Sequence, residues 1–173
     1  HAEYFRSVEQ LAEEKAFMLE KTDPDGLCVL NADDPRVMGL TKHANASVLT
    51  YGFSETANLQ ATSYNLQTRN DFSFEPGETF SSLQFSVQAS DHNSMQVTLE
   101  NKLGRASVSS VLPAILVADH LGLSQQQIFN GISKVEFEPG RMNPLAGIKG
   151  SLLIDSSYNA APASVIAGLE VLS

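Results

Sequence analysis

The chain has a single cysteine among its 173 residues. One thiol cannot close an internal disulfide, so nothing here asks for an oxidising compartment, and a reducing cytoplasm fits. That residue, Cys28, sits in the apolar run Leu27-Cys28-Val29-Leu30 and reads as a small buried hydrophobe rather than a nucleophile. Basic residues are also scarce, 11 against 20 acidic, for a formal net charge of -9. Nucleic acids and anionic membranes reward clustered Lys and Arg, so neither is an expected partner. No stretch approaches the ~20 apolar residues of a membrane span, and the first residues do not resemble a signal peptide. There is no G-x-x-x-x-G-K-[ST] phosphate loop, no Cys/His cluster at zinc spacing and no G-x-S-x-G elbow. The chain by itself holds no complete catalytic set.

What is present is enough apolar material, 42%, for a real core. Residues 7–21 read as a helix: Ser7 and Gln10 form a capping-box pattern, and Val8, Leu11, Ala12, Lys15, Met18 and Leu19 recur at helical spacing. Residues 27–30 have the continuous apolar run of a strand covered on both faces. Asp33 or Asp34 then caps a helix expected to run to about His43, and residues 47–51 form a second strand ending at Gly52. Strand–helix–strand alternation predicts an α/β unit with a parallel sheet. In the middle, residues 59–68, 81–88 and 95–99 alternate apolar and polar positions, as antiparallel strands with one wet face do. Residues 108–121 read as a core helix, with Pro113 expected to kink it or push its start later. Gly122 suits its C-terminal cap, and Ser124 caps a further helix over 125–133. Residues 136–140 read as a linker, 151–154 as a buried strand and 163–172 as a helix. The chain stops inside that helix, so a fragment of a longer protein is expected.

Four clusters could carry chemistry, and each has a bland alternative. Lys15 on a helical stripe is usually a snorkelling side chain, and a lone His1 is usually surface. Asn31-Ala32-Asp33-Asp34-Pro35 ends a strand where α/β sheets bind ligands, yet capping and turn-making explain all five residues, and that reading is favoured. Arg141, after the Pro139-Gly140 turn, has the planar fork that meets phosphate or carboxylate, or is a surface arginine in a linker. Asp155-Ser156-Ser157-Tyr158-Asn159-Ala160-Ala161-Pro162 follows an apolar strand and precedes a helix, and its density of hydrogen-bonding side chains points modestly to a site.

Taken in order, these clusters resemble the Mur ligase family over nearly the whole chain. His1 ahead of a helix bearing Lys15, the Asn-Ala-Asp-Asp-Pro signature, Pro139-Gly140-Arg141-Met142 and the Asp155–Pro162 run are the matching parts. The Tyr158-Asn159 pair is similar to the branch that joins D-alanyl-D-alanine to a UDP-linked muramoyl peptide. The resemblance implies an α/β fold. Residues 1–137 would be the end of a central ATPase domain, with a parallel sheet plus a small antiparallel sheet. Residues 138–173 would begin a Rossmann-like C-terminal domain. It further implies a cytoplasmic, monomeric ATP-dependent ligase, whose phosphate loop lies before His1. Lys15 would be carbamylated and, with His1, would ligate Mg2+, an ion that prefers hard oxygen donors. Arg141 and Asp155 would approach ATP, and Asn159 would lie at the domain interface. Two departures stand out: Ala106-Ser107 replace the His-Asn usual near the adenine, and Ser156 and Ala161 replace the second Asp and second Asn of the final motif. They keep open a ligase for another amino acid or polymer, or a Mur-like binding module without catalysis.

Overall fold

The computed structural model describes residues 5–69, 79–89, 94–136 and 138–172. They divide into two compact units, His1–Ala61 with Gln88–Asn93, and Thr62–Val87 with Ser94–Ser173. The fold is mixed α/β, with a five-stranded sheet and a separate two-stranded one.

The first unit opens on α1 (Val8–Glu20). Ser7 Oγ accepts from the Gln10 N–H at 3.2 Å, as a capping residue should. The Gln10 side chain returns the favour one residue early, accepting from Arg6 N–H rather than from the cap itself. Two parallel strands follow, β1 (Leu27–Asn31) and β2 (Ser47–Gly52), in register from Leu27↔Ser47 to Asn31↔Tyr51. β1 buries Cys28 and Leu30, while Leu27, Val29 and Asn31 are only half-covered. The crossover between the strands is shorter in helix than expected: α2 covers only Pro35–Met38, and a separate 3-10 turn covers Thr41–His43. Gly39 closes α2, and Gly is the weakest ordinary residue for carrying a helix onward. The end of α1 is pinned to the residues before β2 by Asn45, whose N–H reaches Leu19 O at 3.1 Å. His43 Nδ1 also lies within hydrogen-bond distance of Glu20 Oε1, at 3.0 Å. β3 (Leu59–Thr68) meets β2 in parallel over only two residue pairs, Tyr51↔Leu59 and Gly52↔Gln60.

The second unit contains the rest of β3, with β4 (Ser81–Ala89) and β5 (Ser94–Glu100). Arg69 N–H donates to Phe80 O, and Ser63 pairs with Ser86; Asn101 N–H donates to Ser81 O, and Gln96 pairs with Ser86. Partner numbers rise on one strand as they fall on the next, so the three strands run antiparallel, as their alternation predicts. Ser81, Leu83, Phe85 and Val87 of β4 are buried.

α3 (Gly104–His120) begins four residues earlier than its apolar run and continues through Pro113. Proline neither delays its start nor ends it. The lost N–H bond costs about 3 kcal/mol or more, but Val108, Val111, Leu112, Ile115 and Leu116 are all buried on this helix. At ~1.5–3 kcal/mol each, that burial outweighs the penalty. The helix ends as its glycine predicts: Gly122 (φ +78) donates to Asp119 O and Leu123 donates to Ala118 O. α4 (Gln125–Ile132) carries a full capping box between Ser124 and Gln127.

Beyond it lie β6 (Asn143–Ala146), β7 (Leu152–Asp155) and α5 (Pro162–Leu172). β6 falls in residues for which the sequence suggested no element; its Pro144 is tolerated in a two-stranded ribbon, where every strand is an edge. β6 pairs antiparallel with β7 from Asn143↔Asp155 to Ala146↔Leu152. The expectation that 151–154 is a buried strand is corrected: Leu153 is 55% exposed and none of β7 is buried. α5 comes close to α3 where Gly104 has no side chain, since a Cβ there would stand 2.7 Å from Val171.

Candidate functional site

In the first unit, the Asn31–Pro35 stretch does structural work. Asn31 Oδ1 accepts from Asp33 N–H at 2.9 Å and Asp34 Oδ1 accepts from Arg36 N–H at 2.8 Å, capping α2. Asp33 reaches across to the loop after β2, where its carboxylate accepts from the N–H groups of Phe53 and Ser54 at 2.8 Å. The ends of β1 and β2 are thereby tied. Burial first, and the Asp33 charge second, push the nearby Tyr51 phenol above its ordinary value. Gly52 makes room for this carboxylate: an added Cβ would lie 2.6 Å from Asp33 Oδ1. Gly52→Ala is therefore expected to dislodge Asp33 and destabilise the protein by about 1–3 kcal/mol, read as a lowered denaturant midpoint with unchanged slope. An unchanged midpoint would remove Asp33 from this role.

Lys15 projects from α1 and is exposed. His1 lies outside the described residues. Among the described residues no group of three His, Cys, Asp or Glu side chains is placed to hold a metal.

The second unit brings the remaining candidates together. The turn at Gly140 lies against the loop that leaves β7. Tyr158 N–H donates to Gly140 O at 3.0 Å. Gly140 has φ +77, and a Cβ there would stand 3.0 Å from Tyr158 N, so only glycine allows this approach without strain. Arg141 N–H donates to Asn143 Oδ1 at 2.8 Å, fixing the backbone into β6. The Arg141 guanidinium lies over the Tyr158 ring, 4.1 Å from its centroid. Asp155 Oδ1 accepts from Ser157 N–H at 3.0 Å. The Ser157 hydroxyl, then its N–H and that of Gly140, hold the Asp155 carboxyl below its ordinary value of 3.8, against a smaller effect of burial.

These bonds favour the ionised carboxylate, so their contribution is present above the unfolded value and lost as pH falls through the lower folded one. Asp155→Asn should thus be less stable than the parent at neutral pH. The gap should close below about pH 3.8, read by denaturant unfolding at several pH values. A gap that stays constant through that range would count against the assignment.

Arg141, Ser156, Asn159, Ser107, Gly140 and Ser164 all line one cavity of about 180 Å³. That is smaller than the ~300–1,000 Å³ of a whole small-molecule site, so it suits part of a ligand, such as a phosphate or carboxylate group. Its α3 wall offers little hydrogen bonding, because Ser107 Oγ already donates to Leu103 O and Ser110 Oγ to Ala106 O, both at 2.8 Å. Sequence reasoning selected Arg141, Asp155 and Asn159 but not Tyr158 as a working part of the site. An aromatic within a polar loop was the available signal.

Comparison with known proteins places this geometry in context. Residues 1–118 match the model of the Mur ligase middle domain. The whole chain is 29% identical to the UDP-N-acetylmuramoyl-tripeptide–D-alanyl-D-alanine ligase of Mycobacterium tuberculosis, covering 32% of that protein. Over 98% of its length it is 26% identical to the UDP-N-acetylmuramate–L-alanine ligase of Clostridium beijerinckii, covering 34% of it. The fold superposes on MurF from Acinetobacter baumannii with a TM-score of 0.80 at 22% identity, over 99% of this chain and 34% of that one. The chain thus spans about a third of the length of the curated relatives it matches.

Proposed function

The chain belongs to the Mur ligase family, and from that premise we propose that it is part of an ATP-dependent amide ligase of peptidoglycan precursor synthesis. The protein would join D-alanyl-D-alanine to a UDP-N-acetylmuramoyl-tripeptide. In this reading the peptide's terminal carboxylate takes the γ-phosphoryl of ATP, the incoming amine attacks the acyl phosphate carbon, and phosphate leaves. The observation that carries it is Arg141, oriented on Tyr158 beside Asp155 and Asn159 at the carboxyl end of β7. Its guanidinium has the geometry to meet the charge that develops on a transferred phosphoryl. Asp155, held ionised, keeps the Gly140 turn in place, and Asn159 supplies an amide at the cavity's rim.

The reading sets the boundary between central and C-terminal domains at residues 137 and 138, and makes the protein a cytoplasmic monomer. Lys15, exposed and so open to carbon dioxide, is the proposed carbamate carrier that holds Mg2+ with His1. The described residues do not complete a site for that ion, and no step is drawn through it. A second reading, a related ligase with another amine substrate, is favoured by Ser156 and Ala161, which depart from the family's final motif, and by the comparable likeness to an L-alanine-adding relative.

Phosphate release from ATP by the full-length protein tests both readings, with UDP-muramoyl-tripeptide and with or without D-alanyl-D-alanine. Release is expected to need both substrates and to fall roughly a hundredfold in Lys15→Ala. Release that needs UDP-N-acetylmuramate and L-alanine instead selects the second reading, and no release with either pair of substrates refutes both.

A further inference from the structure

We infer that Tyr158 is the positioning residue for Arg141, holding its guanidinium in place through the face of the phenol ring. This rests on the reading of Arg141 as a phosphate-binding group. Arginine loses several rotamers' worth of freedom when it binds an anion, so a site gains affinity if the fork is oriented beforehand. A carboxylate partner would orient it but would also cancel its charge and occupy its donors. Among the described residues, no carboxylate pairs with Arg141. The ring does the orienting instead: it lies 4.1 Å from the guanidinium carbon and attracts the cation without consuming an N–H.

The ring is itself held. Its own backbone N–H is bonded to Gly140 O, one residue before Arg141, so the two loops are joined twice in adjacent positions. The missing side chain at Gly140 is what permits this, with Tyr158 N and Cβ standing 3.0 and 3.2 Å from where a Cβ would be. Core filling does not explain the aromatic, because Tyr158 is 63% exposed. A serine or asparagine could make the same backbone bond, but neither has a π-face.

The test uses the full-length protein and four variants: Tyr158→Phe, Tyr158→Leu, Arg141→Ala and the Tyr158→Leu/Arg141→Ala double. Tyr158→Phe keeps the face and should match the parent in kcat/KM for ATP. Tyr158→Leu should lose roughly 2- to 5-fold, the range of an exposed cation–π contact, and should lose nothing further once Arg141 is alanine. A Tyr158→Leu loss that persists undiminished in the Arg141→Ala background, or a Tyr158→Phe loss equal to that of Tyr158→Leu, overturns the inference. A second readout does not depend on catalysis: the NMR order parameter of the Arg141 Nε–H should drop in Tyr158→Leu and not in Tyr158→Phe. If that drop is seen while the parent releases no phosphate, the positioning role stands and the ligase reading fails. An unchanged order parameter in Tyr158→Leu overturns the positioning role whatever the activity.

Discussion

Arg141→Ala in the full-length protein is expected to lower substrate-dependent phosphate release by roughly 10²- to 10³-fold, the loss that follows removal of one donor to developing charge. The effect should fall on kcat/KM and, if the contact tightens as charge moves onto the transferred group, on kcat as well. Arg141→Lys should recover only part of it, since an ammonium retains the charge but not the planar fork. The variant should remain folded, because Arg141 is exposed and its backbone bond to Asn143 is independent of the side chain. A loss below about threefold would show that Arg141 is merely a surface residue of the turn.

The second large effect is on stability. Phe85→Ala is expected to cost about 3–5 kcal/mol, as removal of a fully packed aromatic generally does. Phe85 is 1% exposed on β4, in the same buried row as Leu83 and Val87. Against a typical total of about 5–15 kcal/mol, the loss should bring the denaturant midpoint down by about a fifth or more. Ile148→Ala provides the contrast. That residue is 83% exposed, and its substitution should stay within ~0.5 kcal/mol. A Phe85→Ala cost under 1 kcal/mol would mean that the β4 row is not part of the cooperative core.

Much of this architecture is legible from local chemistry. Ser7, Ser124 and Gly122 act at short range, through bonds to residues one turn away, and each marks its helix end correctly. Alternation on β4 and β5 marks the buried rows for the same reason, because the pleat acts residue by residue. What local chemistry hides is anything settled by distant packing. Pro113 is tolerated in α3 because five nearby residues of that helix are buried; the sequence shows that they are apolar, but their burial depends on what packs against the helix. β6 exists because β7, several residues later, offers it a partner.

The candidate site divides along the same line. Arg141, Asp155 and Asn159 are readable as residue types, and the structure gathers all three about one turn and cavity. The Tyr158 contact depends on two loops separated by a β-ribbon and was out of reach. At Asn31–Pro35 the capping explanation accounts for Asp34, but Asp33 does more, since its partners Phe53 and Ser54 lie at the end of the next strand.

Cys28, the one thiol of this chain, is 3% exposed within β1. A thiol reagent in solution therefore cannot reach it until β1 opens. Its labelling rate, followed against denaturant concentration, becomes a clock for that opening, sited on the strand whose far end the Asp33 tie holds and requiring no engineered probe. Gly52→Ala should make the clock run faster and Ile148→Ala should leave it unchanged. Local loosening at the end of β1 is in this way separable from global unfolding.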